Sequence, residues 1–182
     1  MFMADSATII DNGSADIGFI ANTHNQNGLA TGYTSGSTPF DDYVDATPLH
    51  SNLFSGNEFE GSLGSSNKFI VVYEFNQAID LAGVALWNED TYGIGSFQAF
   101  ASTDGTSFGT AFLSEDPVSP NTTGADYGPY KYDSFAQIDD VTHVKFEMSA
   151  SSGFIVGIGE IAFGGTASST NPPVVPEPTS FA

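Results

Sequence analysis

Apolar and polar positions alternate most clearly over residues 68–108, and the rest of the chain is arranged around this stretch. Phe69, Val71, Tyr73 and Phe75 fall on one face of a strand, while Ile70 and Val72 fall on the other. Apolar residues on both faces predict a central strand covered on each side. Asn76-Gln77 and Gly83 interrupt the pattern before Val84-Ala85-Leu86-Trp87, and a further strand over 96–102 ends at the turn dipeptide Asp104-Gly105. The stretch therefore reads as three successive strands joined by short polar turns.

Shorter runs flank it. Residues 7–10 are apolar and stop at the turn signal Asp11-Asn12-Gly13, and residues 17–21 form a second run. Residues 22–42 are rich in Asn, Gly, Ser and Thr and read as loop, and 43–49 allows one helical turn ending at or before Pro48. Val144, Phe146 and Met148 alternate with His143, Lys145 and Glu147, a half-buried strand. Residues 154–163 form a last strand interrupted by Gly157 and Gly159, which predicts a bulge or a close backbone approach. No amphipathic helix of three turns and no repeat is present. Short strands with turn signals at this spacing predict one all-β sandwich over 1–165. After Gly165 the chain turns to Ser, Thr and Pro, an extended linker over 166–182 that cannot build a core.

Composition narrows the function more than the fold. Lys68, Lys131 and Lys145 face 22 acidic residues with no arginine, for a net charge of −19. Nucleic-acid binding needs a basic footprint and is excluded as an expectation, and anionic lipid surfaces are disfavoured. The charge suits solubility first, and a salt- or divalent-rich medium second. Cysteine is absent, so neither disulfides nor thiolate chemistry is available. No apolar run approaches a membrane span. The first residues lack the basic and apolar regions of a signal peptide, so an exported protein with this sequence is expected to be a processed form.

Two resemblances follow from particular residues. Val84-Ala85-Leu86-Trp87-Asn88-Glu89, residues 97–102, Asp104-Gly105, Val144-Lys145-Phe146 and Gly159-Glu160-Ile161-Ala162-Phe163 occur in the order of the middle and last strands of discoidin-like (F5/8 type C, galactose-binding-like) domains. Over about residues 30–165 the chain resembles that family, which implies a jelly-roll sandwich that binds extracellular glycan. Val175-Pro176-Glu177-Pro178-Thr179 resembles the opening of a PEP-CTERM sorting signal of Gram-negative bacteria. That resemblance implies export, processing by an exosortase, and a place at the cell surface or in the exopolysaccharide matrix. The sorting residues are Pro176, Glu177 and Pro178. The apolar helix and basic cluster that follow the triplet in that family are not in this sequence.

Candidate chemistry is sparse. Gly105-Thr106-Ser107-Phe108-Gly109 matches the G-x-S-x-G pattern of a nucleophile elbow, but the turn before it and the lack of a helix pattern after it make the match accidental. His24, His50 and His143 show no metal-ligand spacing and read as surface residues. Glu160 stands inside an apolar run, so a cation, backbone N–H groups or a lysine must neutralise it. The discoidin resemblance implies a structural Ca²⁺ there, with Asp41, Asp42 and Asp45 of the loop 40–47 supplying further oxygens. Asn88-Glu89-Asp90 is a weaker cation candidate and reads as a solvated turn. Trp87 reads as core.

For sugar binding the expected residues are Tyr92, Tyr127, Tyr130 and Lys131, in loops whose rigid amphipathic rings suit a ligand. Tyr132 is expected to pack on the sandwich edge, while Tyr127 and Tyr130 are open between packing and binding. The resulting expectation is an exported, non-enzymatic surface or matrix protein that binds glycan. Its alternatives are a self-assembling structural component and, behind it, a polysaccharide hydrolase.

Overall fold

A computed structural model describes residues 1–51, 56–89, 91–118 and 125–169. Among these residues nine strands carry nearly all the regular structure: β1 (Ser6–Asp11), β2 (Ile17–Gly18), β3 (Phe59–Ser62), β4 (Phe69–Asn88), β5 (Ile94–Ser102), β6 (Leu113–Glu115), β7 (Tyr130–Tyr132), β8 (Ile138–Ala150) and β9 (Ile155–Ala167). One short helix, α1 (Phe40–Asp45), and a 3-10 turn (Ile20–Thr23) complete them.

The architecture follows from β4. Its first half pairs with β1 and β8, and β8 continues through β5 to β6. Its second half pairs with β9 and β7, and β9 continues through β3 to β2. A register irregularity between Glu74 and Ile79 marks the change of partner. One twisted, hydrogen-bonded sheet thereby folds into two five-stranded layers that share a strand.

The expected turn at Asn76-Gln77 is therefore not a turn. The polar pair is exposed where the strand crosses between layers, and the first two of the three expected strands are one. Two-sided burial, expected for residues 69–75, belongs instead to the second half. Phe69, Val71, Tyr73 and Phe75 are buried and Ile70 and Val72 only half-buried, whereas Gly83 to Asn88 are buried without alternation.

The main core lies between the layers. Phe69, Val71 and Tyr73 meet Val144, Phe146 and Met148 of β8, Phe97 of β5 and Ile161 and Phe163 of β9. The rings interlock edge-on: Tyr73 lies 5.8 Å from Phe146, and Phe75 lies 4.9 Å from Phe163. A second apolar cluster covers the outer face of the β4–β9 pair, where Ala85, Trp87 and Ala162 are roofed by Met1, Tyr33, Tyr43, Val44 and Tyr127. Trp87 is fully buried there and donates its indole N–H to the Pro48 carbonyl at 2.8 Å.

The helical turn falls at α1, earlier than 43–49, because Pro39 stands just before its first residue and Asp41 and Asp42 occupy its first turn. The apolar run 17–21 yields only the two-residue β2 before the 3-10 turn begins. Strand β9 runs past Gly165 to Ala167. Tyr132 packs edge-on against Phe97 at 5.4 Å. Among the described residues no helix follows Gly109, and the Asp104 carboxylate collects the Thr106 and Ser107 N–H groups in an exposed turn, which leaves the G-x-S-x-G match without an elbow.

Candidate functional site

Glycines on β9 make room for a buried polar cluster. In the β4–β9 pairing Trp87 opposes Glu160 but Asn88 opposes Ile158, so Gly159 is the extra residue of a bulge. A methyl group at Gly159 would stand 2.4 Å from the Tyr127 hydroxyl and 3.0 Å from His50 Nδ1. A methyl group at Gly28 would stand 2.1 Å from His50 Nε2. Only glycine lets these side chains approach the backbone so closely.

Within the cluster, the His50 and Tyr127 rings stack at 5.3 Å. Their main chains exchange hydrogen bonds of 2.8 and 3.1 Å. Tyr127 donates its hydroxyl to Glu58 Oε1 at 2.5 Å, and Glu58 Oε1 lies 3.9 Å from His50 Nδ1. Burial drives the His50 pKa down to about 4, so the ring is neutral at physiological pH, with Nδ1 beside the Ser51 carbonyl and Nε2 buried without a hydrogen-bond partner among the described residues. The expectation of surface histidines fails for His50 and for His24, whose Nδ1 lies 3.1 Å from the Ala4 carbonyl. Both sit in polar stretches of sequence, but those stretches fold over the sheet.

Glu160 is fully buried on the same layer. Its carboxylate accepts from the Gln26 N–H at 3.0 Å and lies 3.5 Å from the Tyr33 hydroxyl. Burial raises its pKa well above the ordinary carboxylate value, against the pull of those two donors. Burial and the nearby Glu160 charge also hold the Tyr33 phenol up, so it keeps the proton that it donates to Glu160.

The aspartates expected beside Glu160 are elsewhere. Lys131 Nζ lies 2.9 Å from Asp41, 3.0 Å from Asp45 and 3.3 Å from Asp133. These hydrogen bonds, from Asp41 first, raise the lysine pKa. Asp42 is exposed on the same helix. Among the described residues no group of three or more acidic, histidine or cysteine side chains could hold a metal ion. Asp41, Asp42, Asp45 and Glu160 are thus not one donor set: α1 turns Asp41 and Asp45 toward Lys131 of β7, while Glu160 faces the loop 24–33.

The expected sugar-binding residues also separate. Tyr127 is buried and committed to Glu58, and Lys131 is an ion-pair centre. Tyr130 is a half-buried strand residue that donates to the Val118 carbonyl. Only Tyr92 remains open, 36% exposed on the β4–β5 loop.

That loop is braced rather than solvated. Asn88 is buried, accepts the Ile94 N–H at 2.6 Å and donates to the Ile94 carbonyl at 3.1 Å. The Glu89 carboxylate, also buried, accepts the Tyr92 N–H. The Tyr92 carbonyl accepts from Gly157 at 2.6 Å and the Gly93 carbonyl from Ser151 at 3.0 Å, so the loop runs beside the β8–β9 turn. That turn presents Phe154, 64% exposed, its carbonyl fixed by the Leu63 N–H at 2.8 Å.

Two exposed rings therefore stand on hydrogen-bonded loops at one end of the sandwich. Phe154 reads in sequence as the first core residue of a strand; the preceding Ser151-Ser152-Gly153, with Gly153 at φ +66°, is the signal that a turn ends there. Pro176, Glu177 and Pro178, the linker from Thr170, and Asp90 lie outside the described residues.

No family model matches the chain, and no curated protein matches it in sequence. Solved structures do match in fold. A pectin-binding carbohydrate-binding module aligns over 92% of this chain and 94% of its own, with a TM-score of 0.54 and 13% identity. The CBM32-3 module of a family 31 glycoside hydrolase from Clostridium perfringens aligns over 90% of each chain, with a TM-score of 0.51 and 12% identity. An F5/8 type C domain from Bacteroides fragilis aligns over 88% of this chain and 91% of its own, with a TM-score of 0.52 and 9% identity. The chain folds as a discoidin-like, galactose-binding-like β-sandwich.

Proposed function

We propose that this discoidin-like sandwich is a non-enzymatic, exported surface or matrix protein that binds extracellular glycan through Tyr92 and Phe154. The observation that carries the reading is the exposure of two aromatic rings on neighbouring loops held by backbone hydrogen bonds. Ring faces stack on the C–H faces of a pyranose, and loops already held by hydrogen bonds lose little backbone freedom on binding. Two of the structural relatives are carbohydrate-binding modules by description, which supports the same reading by analogy of fold.

Export, sorting by an exosortase through Pro176, Glu177 and Pro178, and residence on a Gram-negative surface belong to this proposal on the strength of the tail's resemblance alone. Among the described residues no helix is long and apolar enough to cross a membrane. A structural Ca²⁺ is proposed at Glu160 without the α1 aspartates, since Lys131 engages Asp41 and Asp45 and Asp42 is exposed on the same helix.

The test is a glycan array read with the native chain and with Tyr92→Ala and Phe154→Ala. The native chain should bind, and each variant should weaken binding by about tenfold or more, the loss expected of a central aromatic contact. Variants that bind as well as the native chain overturn the site. Large oligomers or filaments without sugar binding would favour a self-assembling structural role.

A further inference from the structure

Every cationic side chain of this protein is already paired. Lys68 lies 2.7 Å from Glu147 Oε2, and Lys145 lies 2.8 Å from Glu147 Oε1. Lys131 is held by three aspartates at 2.9 to 3.3 Å. There is no arginine, and the residues outside the described ones contain no lysine or histidine. The N-terminal ammonium donates to the Thr38 carbonyl at 2.7 Å. His24 and His50 are buried, and His143 Nε2 lies 3.9 Å from Glu74.

Recognition of a uronate or sulfate needs a cationic donor that can face the anion, usually Arg or Lys. Taking Lys131 for that task would leave three aspartates unneutralised, and taking Lys68 or Lys145 would leave Glu147 with one lysine instead of two. Any anionic polymer would also approach against a net charge of −19. Neither obstacle applies to a neutral sugar, which needs ring faces and uncharged hydrogen-bonding groups. A sugar bearing protonated amines is drawn in by the same field.

We infer that the ligand of the Tyr92–Phe154 end is a glycan without carboxylate or sulfate groups, and that free amino groups on its sugars strengthen capture. The inference rests on the glycan-binding reading above and names the class of ligand within it.

The experiment titrates the native chain, Tyr92→Ala and Phe154→Ala with polygalacturonate, a neutral galactan and partly deacetylated chitosan oligosaccharides, at slightly acidic pH. At about 20 mM salt the amine-bearing oligosaccharides should bind at least about tenfold more tightly than polygalacturonate, and the advantage should shrink severalfold at about 0.5 M salt, where charges are screened within a few ångströms. The galactan should fall between them and be insensitive to salt. Both variants should weaken binding of the preferred polymer. Polygalacturonate bound as tightly as the galactan, with both losing affinity in the variants, overturns the charge inference and leaves the site standing. Amine-dependent binding unchanged in both variants reveals diffuse attraction to an acidic surface and overturns the inference. Binding of none of the three polymers overturns it together with the site.

Discussion

Two loop regions of this protein each bring together two rings, with opposite fates. Tyr127 with His50 is buried, stacked, and hydrogen-bonded to Glu58. Tyr92 with Phe154 is exposed, and only its backbone is fixed. The first region pays for its burial with glycines and a bulge on β9; the second leaves its rings to solvent. An aromatic residue in a polar loop is therefore not a binding residue by composition. What separates the two is whether another segment of the chain folds over the ring.

The strongest way to break the contrast is Tyr127→Ala. It removes a buried ring and the donor to Glu58, and should cost about 3–5 kcal/mol in urea unfolding, as other large-to-small core changes do. Glycan binding per folded molecule should stay unchanged, whereas Tyr92→Ala and Phe154→Ala should lose binding with stability altered by about 0.5 kcal/mol or less. A reversal of these two patterns would mean that the regions have been assigned the wrong way round.

Acid comes next. The His50 pKa falls from 6.5 in the unfolded chain to about 4 in the folded one. The neutral ring's stability is complete above pH 6.5 and is lost as the pH falls toward 4, by on the order of 2–3 kcal/mol. Unfolding measured across that window should show this slope in the native chain and a smaller one in His50→Gln. His50→Gln should leave glycan binding at the Tyr92–Phe154 end unchanged.

Glu160 should show the opposite slope. Its folded pKa is raised, so the native chain loses stability as the pH climbs above 4.5, where the unfolded carboxyl ionises. Glu160→Gln should flatten that loss and make the variant the more stable protein in neutral, metal-free buffer. If calcium binds at Glu160, millimolar Ca²⁺ should raise the native melting temperature and leave the variant's unchanged. The smallest effect belongs to Lys131→Ala. It leaves three exposed carboxylates facing one another, and should lower the melting temperature slightly at low salt and not at high salt.

Much of the scaffold was legible in local pattern. Val144, Phe146 and Met148 alternate into the core as period two requires, Gly157 and Gly159 signalled a bulge and a close approach that the structure places at Gly159, and Trp87 reads as packing and is packing. The join between the first two strands was not legible. Asn76-Gln77 carries the polarity of a turn, yet here marks only a solvent-facing crossing between layers. Of the expected site, Tyr92 is exposed on its loop, while Tyr127, Lys131, Asp41 and Asp45 are engaged with other side chains. Phe154 went unseen because a ring beside an apolar strand looks like core until the turn before it is located.

By itself, the sequence determined an all-β sandwich, a chain without cysteine, and a net charge of −19. These follow from periodicity and composition, which are properties of neighbours along the chain. Only the tertiary structure decided which loops lie over the β4–β9 layer, and hence which rings and carboxylates are buried. That choice rests on pairs far apart in sequence: Gln26 with Glu160, His50 with Tyr127, and Lys131 with Asp41. Local pattern does not encode such pairings, because each partner's burial is set by residues about eighty or more positions away, or by a segment that must first fold over the sheet.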